Sequence, residues 1–331
     1  MTASTETREL PGRSLTGAPD FFLVGHPKSG TSALYEMLRS HPQIFMPGLK
    51  EPWFFATDLR ARFQPLRAGV RPPETLAEYL ALFAPAAPGQ LTGEASSSYL
   101  LSREAAPRIA RARSDARIVA ILREPASFLC SLHQQLLFTH VESEKRFAKA
   151  LSLESARREG RKVPRRSHRP QMLMYSEHVH YVEQLRRYHA EFAREQVLVL
   201  IYEDFRADNE GTVRRILRFL GLDDTVPVET VEANPTVRVR SPRLYGLAHR
   251  LDLGHGSAAR AARTAVGTLG RSAPRARTLA GLPRRVMLGE PRAPDGELML
   301  ELRRRFRAEV QALGDYLDRD LLTLWGYDSL G

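Results

Sequence analysis

Residues 21–34, FFLVGHPKSGTSAL, constrain this chain more than any other segment. An apolar run ending at Gly25 passes through a turn containing Lys28, Ser29 and Gly30, and then enters a helix-forming stretch that opens at Thr31 and Ser32. Such a strand, turn and helix present backbone N–H groups and a helix N-terminus to an anion, and Lys28 adds a full positive charge. These residue types point to a bound phosphate-like group held by Lys28, Ser29, Gly30, Thr31 and Ser32.

The loop is not the nucleoside-triphosphate version. That motif reads GxxxxGK[ST], with the lysine after the last glycine and the hydroxyl on magnesium. Gly25 and Gly30 keep the spacing here, but Thr31 stands where the lysine belongs, and Lys28 lies inside the loop. The strand able to supply a metal-binding aspartate, ARIVAILREP at 116–125, ends instead near Arg123. Arginine does not hold magnesium and suits a bidentate phosphate contact.

Three segments together, HPKSGTSAL, LKEPWFF and ILREPASFLCS, resemble the landmarks of sulfotransferases that use 3'-phosphoadenosine 5'-phosphosulfate (PAPS). The Lys-Glu-x-x-Phe-Phe segment after the first loop is similar to the glycan branch that modifies heparan sulfate. Weaker likeness continues through GEASSSYL (93–100), EQVLVLIYEDF (195–205), FLGL (219–222) and RDLLTLWGY (319–327). The resemblance implies that the first loop grips the 5'-phosphosulfate. It also implies that an arginine followed eight residues later by a serine, here Arg123 and Ser131, grips the 3'-phosphate. Arg238, Arg240 and Arg243, beyond FLGL, are further candidates for that phosphate.

Sulfuryl transfer to an alcohol resembles phosphoryl transfer, with in-line attack and negative charge growing on the leaving phosphate. A cation beside that oxygen stabilises the transition state more than the ground state. Lys28 is the candidate, and because a sulfuryl group is singly charged no metal is assigned. The acceptor hydroxyl must lose a proton, and the resemblance gives the role of base to Glu51. Trp53, Phe54 and Phe55 follow it closely, apolar neighbours expected to desolvate its carboxylate. Glu94, in GEASSSYL, ranks second and reads as a residue that structures its loop. Phe54, Phe55, Trp325 and Tyr327 read as core. His178 and His180 lie two apart, on different faces of a predicted helix, and make no metal site.

Alternating strands and helices predict an α/β fold, a P-loop-like three-layer sandwich with a mainly parallel central sheet flanked by helices. Strands are expected at 21–25, 91–95, 117–122 and 197–202, with a short apolar stretch at 43–46. Helices are expected at 30–40, near 75–83, from about 103, from Pro125, over 171–193, 209–220 and 296–318. Residues 1–18 read as a flexible tail and 19–331 as one sulfotransferase domain. The Arg-rich stretch 154–170 and the Ala-, Arg- and Gly-rich stretch 250–292 both read as solvated, variable surface, with an acceptor-binding lid as the other reading of such segments.

The formal net charge of +11 raises the possibility of a polyanionic partner. Only five of the 49 basic residues are lysines, however, and the arginines sit in an Ala-rich background of the kind GC-rich bacterial genomes encode. The resembled animal enzymes are Golgi proteins with an N-terminal anchor. Residues 1–18 contain no apolar run and Cys130 is the single cysteine, which together point to a soluble cytoplasmic enzyme.

Against the heparan 3-O pattern, Trp53 replaces a histidine, Ala56 an aspartate and Ala95 a lysine. The expected acceptor is therefore a less charged hydroxyl on a glycolipid, a glycoside or a secondary metabolite. Two other classes stay open from the residues alone: a P-loop nucleotide-dependent kinase, against which Thr31 speaks, and a basic protein that binds nucleic acid or a membrane surface through its Arg-rich stretches.

Overall fold

The computed structural model describes residues 15–59, 71–165, 167, 169–229, 238–239, 288–289 and 295–329, the two short middle pairs by backbone alone. They fall into two compact units. The first holds the described residues within 15–59, 73–122 and 181–229. The second holds those within 71–72, 123–180 and 238–329.

The first unit is built on five parallel strands: β1 (Phe21–Gly25), β2 (Ile44–Phe45), β3 (Leu91–Ala95), β4 (Arg117–Leu122) and β5 (Val197–Ile201), in the order β2-β3-β1-β4-β5. Strands β1 and β4 are almost wholly apolar because helices cover both faces of the sheet. Their register sets Phe22 beside Ile118 and Gly25 beside Ile121. Phe21, Leu23, Val119, Ile121 and Leu200 pack with helices α1 (Thr31–Arg39) and α9 (Asn209–Leu220) into one core. On the opposite face Phe22 meets Phe55 edge-on, with ring centroids 5.9 Å apart, and lies 6.5 Å from Tyr99. The strand order reverses at β1, whose two neighbours are β3 and β4. In open α/β sheets such a reversal opens a crevice at the carboxyl ends of the strands, where ligands bind.

Local chemistry set most boundaries. In the first unit, a capping box between Thr75 and Glu78 starts helix α2 (Leu76–Ala81), helix α3 runs over Ala105–Ala112 and helix α8 over Tyr202–Ala207. Residues 15–18, expected within the flexible tail, are tied down here: Leu15 N donates to Ala112 O, and Ala18 is buried.

The second unit contains helices α4 (Pro125–Phe138), α5 (Phe147–Ser152), α6 (Glu154–Arg158), α10 (Gly296–Leu317) and α11 (Leu321–Trp325), and an antiparallel pair, β6 (Arg238–Val239) with β7 (Leu288–Gly289). Pro125 occupies the first turn of α4, as its fixed φ favours.

The sequence predicted one long helix over 171–193. The structure has 3-10 turns at Pro170–Leu173 and Tyr175–Val179 in the second unit, and α7 (Tyr181–His189) in the first. Within the second unit, Glu154 accepts from Ser176 N at 3.2 Å, Tyr175 donates to Glu142 at 3.1 Å, and His178 bonds Met172 O at 3.2 Å. These non-helical contacts override the helical period. The reading of 154–170 as solvated surface holds for the exposed run 158–162 and needs correction at Glu154 and Arg157, which are buried. Arg157 clasps Glu142 through both terminal nitrogens, at 2.7 and 2.8 Å.

Candidate active site

The predicted phosphate loop leaves β1 at Gly25, where a side chain is excluded: a Cβ there would lie 2.5 Å from Ile121 O. His26 is fully buried, shares a 2.8 Å hydrogen bond with Gln184 and lies against Tyr181, ring centroids 5.4 Å apart. Lys28 has φ 69°, a left-handed conformation costly for a residue with a side chain. Gly30, at φ 87°, is the N-cap of α1, and a Cβ on it would meet the Phe205 ring at 2.9 Å. Helix α1 therefore starts without a side-chain cap and without an acid in its first turn. Its leading N–H groups are left for an external acceptor. Ser29 Oγ is buried with no hydrogen-bond partner among the described residues, Thr31 is buried and Ser32 half-buried. This donor set, with Lys28 in the loop, fits a phosphate-like anion.

Glu51 belongs to the same unit. Its φ is 59° and that of Trp53 is 50°, so two left-handed non-glycine residues sit within three positions. One segment, following β3, holds this turn in shape. Glu51 N donates to Ala95 O at 3.0 Å, Trp53 N to Ser96 Oγ at 3.2 Å and Phe55 N to the Tyr99 hydroxyl at 3.1 Å. The Glu51 carboxylate accepts from Ser97 Oγ at 2.8 Å and from Lys50 Nζ at 3.1 Å, both on Oε1. Its side chain is 25% exposed. The hydrogen bonds described to it thus come from a serine and a lysine. Of the aromatic neighbours, Phe55 is core and Phe54 stacks on Tyr79 with centroids 4.4 Å apart. Ala56 and Ala95 are buried, whereas Trp53, the third replacement that bears on the acceptor, is half-buried.

The strongly desolvated carboxylate is Glu94. Fully buried at the end of β3, it accepts from the hydroxyls of Tyr79 and Tyr99 on Oε2, each at 2.8 Å. Burial pushes its pKa up to about 7, against the opposing pull of hydrogen bonds from Ser96, Tyr79 and Tyr99, and the charge of Glu51 pushes the same way as burial. Through Tyr99, Glu94 reaches the backbone of the Glu51 turn. Sequence reasoning named Glu94 as a structuring residue and missed Ser97, Tyr79 and Tyr99. The run of three serines after Glu94 was the available signal.

Arg123, directly after β4 in the chain, begins the second unit. It is half-buried, and Ser131, two turns into α4, is buried. Between them, Glu124 caps α4, accepting from Ala126 N at 3.1 Å and Ser127 N at 2.6 Å. Cys130 is a half-buried free thiol. Arg240 and Arg243 lie outside the described residues, as does 250–292 apart from 288–289, and Arg238 is described only as backbone of β6. No helix among the described residues is long and apolar enough to cross a membrane.

Comparison with known proteins agrees with this architecture. Residues 19–226 match the family model described as "Sulfotransferase family". Heparan sulfate glucosamine 3-O-sulfotransferase 3B1 of Mus musculus is 28% identical over 204 residues, 62% of this chain and 46% of the mouse protein. Carbohydrate sulfotransferase 15 of Homo sapiens is 40% identical over 65 residues, 20% of this chain and 11% of that one. The chain spans about half the length of the 3-O-sulfotransferase it matches. Among solved structures, a sulfotransferase from Alicyclobacillus acidocaldarius superposes with a TM-score of 0.65 at 25% identity, covering 93% of this chain and 98% of the other. With the family model spanning more than half of its length and the parallel sheet in place, this chain belongs to the sulfotransferase family.

Proposed function

We propose that the chain is a PAPS-dependent O-sulfotransferase acting on a hydroxyl of a glycoside, a glycolipid or a small metabolite. The observation that carries this reading is the uncapped, acid-free start of α1, preceded by a left-handed Lys28 and a buried, unspent Ser29 hydroxyl. PAPS supplies an activated sulfuryl group attached to a phosphate leaving group. Lys28, with the buried Ser29 hydroxyl and the N–H groups of Gly30, Thr31 and Ser32, binds the 5'-phosphosulfate and holds positive charge where negative charge develops. Arg123 and Ser131 bind the 3'-phosphate and fix the orientation of the nucleotide. Glu51 accepts the proton of the acceptor hydroxyl, a contribution typically of about 10²–10⁴-fold. Lys50 and Ser97 aim that carboxylate.

The half-buried Trp53 supports a weakly charged acceptor, since an indole offers an apolar face to a sugar or lipid-linked ring. A cytoplasmic location is part of the same proposal. The test is calorimetry with adenosine 3',5'-bisphosphate against ADP, with and without magnesium. The bisphosphate is expected to bind at least tenfold more tightly, independently of magnesium. Equal affinity for the two nucleotides, or a requirement for magnesium, overturns the reading.

A further inference from the structure

Glu124 is singled out by its position between the two residues assigned to the 3'-phosphate. It directly follows Arg123, and Ser131 is seven residues further on, two turns along α4 and about 10 Å up its axis. Its carboxylate is 4% exposed and caps α4. A third donor reaches it from 203 residues away: the hydroxyl of Tyr327, fully buried, at 2.5 Å from Oε1. Nothing in the chemistry assigned so far uses Tyr327.

Tyr327 is itself held from several directions. It follows α11 through Gly326, which is left-handed at φ 68°, and its N–H donates to Leu322 O at 2.7 Å. On α10, Arg303 lies over its ring at 6.0 Å and Arg307 donates to its carbonyl at 3.4 Å. Arg303 also approaches Glu124 Oε1 at 3.7 Å. The arrangement is a brace: α10 and α11 fix Tyr327, Tyr327 fixes Glu124, and Glu124 fixes the start of the helix that carries Ser131 and adjoins Arg123. A hydrogen bond to a buried carboxylate is stronger and more directional than one between neutral groups.

We infer that Tyr327 is a positioning residue for nucleotide recognition, acting through Glu124 to hold Arg123 and Ser131 in register for a 3'-phosphate, a role that rests on the reading of those two residues given above. Tyr327→Phe keeps the ring and removes only the hydroxyl. It is expected to weaken adenosine 3',5'-bisphosphate binding about tenfold by calorimetry while ADP binding stays within twofold. Glu124→Gln attacks the same brace from its other end, is expected to shift the ratio in the same direction, and serves if Tyr327→Phe does not fold.

Tyr175→Phe, which removes another buried tyrosine-to-carboxylate bond in the same unit, controls for general loosening. It is expected to lower the melting temperature and leave the ratio of affinities unchanged. An unchanged ratio in folded Tyr327→Phe, or an equal change in Tyr175→Phe, overturns the inference. Arg123→Ala, measured alongside, separates the two levels. If it abolishes the preference while Tyr327→Phe does not, only the brace is wrong; if it leaves the preference intact, the assignment of the 3'-phosphate falls and the brace with it.

Discussion

Replacing Glu94 by glutamine probes the scaffold under the proposed base, and its effect follows from where the carboxyl sits. Glu94 is fully buried with two tyrosine hydroxyls on one oxygen, and burial is the largest influence that raises its pKa from 4.5 to about 7. An acid whose pKa is raised by folding holds a proton that the unfolded chain has already released. Its contribution is therefore fully present below pH 4.5, declines as pH rises, and is lost above about 7. At about 1.4 kcal/mol for each pKa unit, the decline totals roughly 3 kcal/mol.

His178 works in the opposite sense. Burial lowers its pKa from 6.5 to about 4, so it contributes stability above pH 6.5 that is lost as pH falls through about 4. Between pH 4.5 and 6.5 the two slopes oppose each other, and the unmodified protein alone reveals neither. The difference between the unmodified protein and Glu94→Gln isolates the glutamate, because His178 is common to both. Urea unfolding at pH 5, 6, 7 and 8, followed by fluorescence and far-ultraviolet circular dichroism, is the assay. Glu94→Gln is expected to gain on the unmodified protein by roughly 2–3 kcal/mol from pH 5 to pH 8, since part of the decline already lies below pH 5. Stability curves that run parallel across this range refute the buried, protonated Glu94.

Ser97→Ala removes one donor to Glu51 Oε1 and is expected to lower kcat about tenfold, the equivalent of a hydrogen bond to a charged group of roughly 1.5 kcal/mol. Affinity for adenosine 3',5'-bisphosphate should not change, and PAPS turnover with an alkyl glycoside acceptor, alongside calorimetry, separates the two quantities. Gly25→Ala pushes a Cβ to 2.5 Å from the Ile121 carbonyl inside the sheet, so a loss of about 2 kcal/mol or more is expected in urea melts. Arg157→Met strands Glu142, whose side chain is completely buried, and is expected to cost about 3–5 kcal/mol at neutral pH. Burial is the largest influence and raises the Glu142 pKa, but the Arg157 hydrogen bonds, those from the N–H groups of Glu144 and Ser143, and the Arg157 charge together outweigh it and hold it below 4.5. The loss in Arg157→Met should therefore shrink in acid, where Glu142 is neutral, and a loss independent of pH counts against the pair.

Much of the architecture was legible because short-range chemistry decided it. The apolar run before Gly25, Pro125 at the start of a helix and the FLGL ending place β1, α4 and α9 with little help from the rest of the chain. Lys28 was singled out by the residue types of its loop, and Glu51, Arg123 and Ser131 by the family resemblance; the structure gives Lys28 and Glu51 an unusual left-handed backbone. The helix expected over 171–193 failed for a tertiary reason: the carboxylates of Glu142 and Glu154, distant in sequence, take hydrogen bonds from Tyr175 and Ser176 that a continuous helix does not permit.

By itself, the sequence determined the strand-loop-helix with its donor-rich turn, the parallel sheet around it and the kinds of side chain available for the chemistry. Those follow from periodicity and from residue types a few positions apart. Tertiary structure alone decided which carboxylate is desolvated, that Ser97 donates to Glu51, and that Tyr327 braces Glu124 across 203 residues. Burial and hydrogen-bond partnership are properties of the packed interior, and a one-dimensional pattern carries no trace of which distant groups share it.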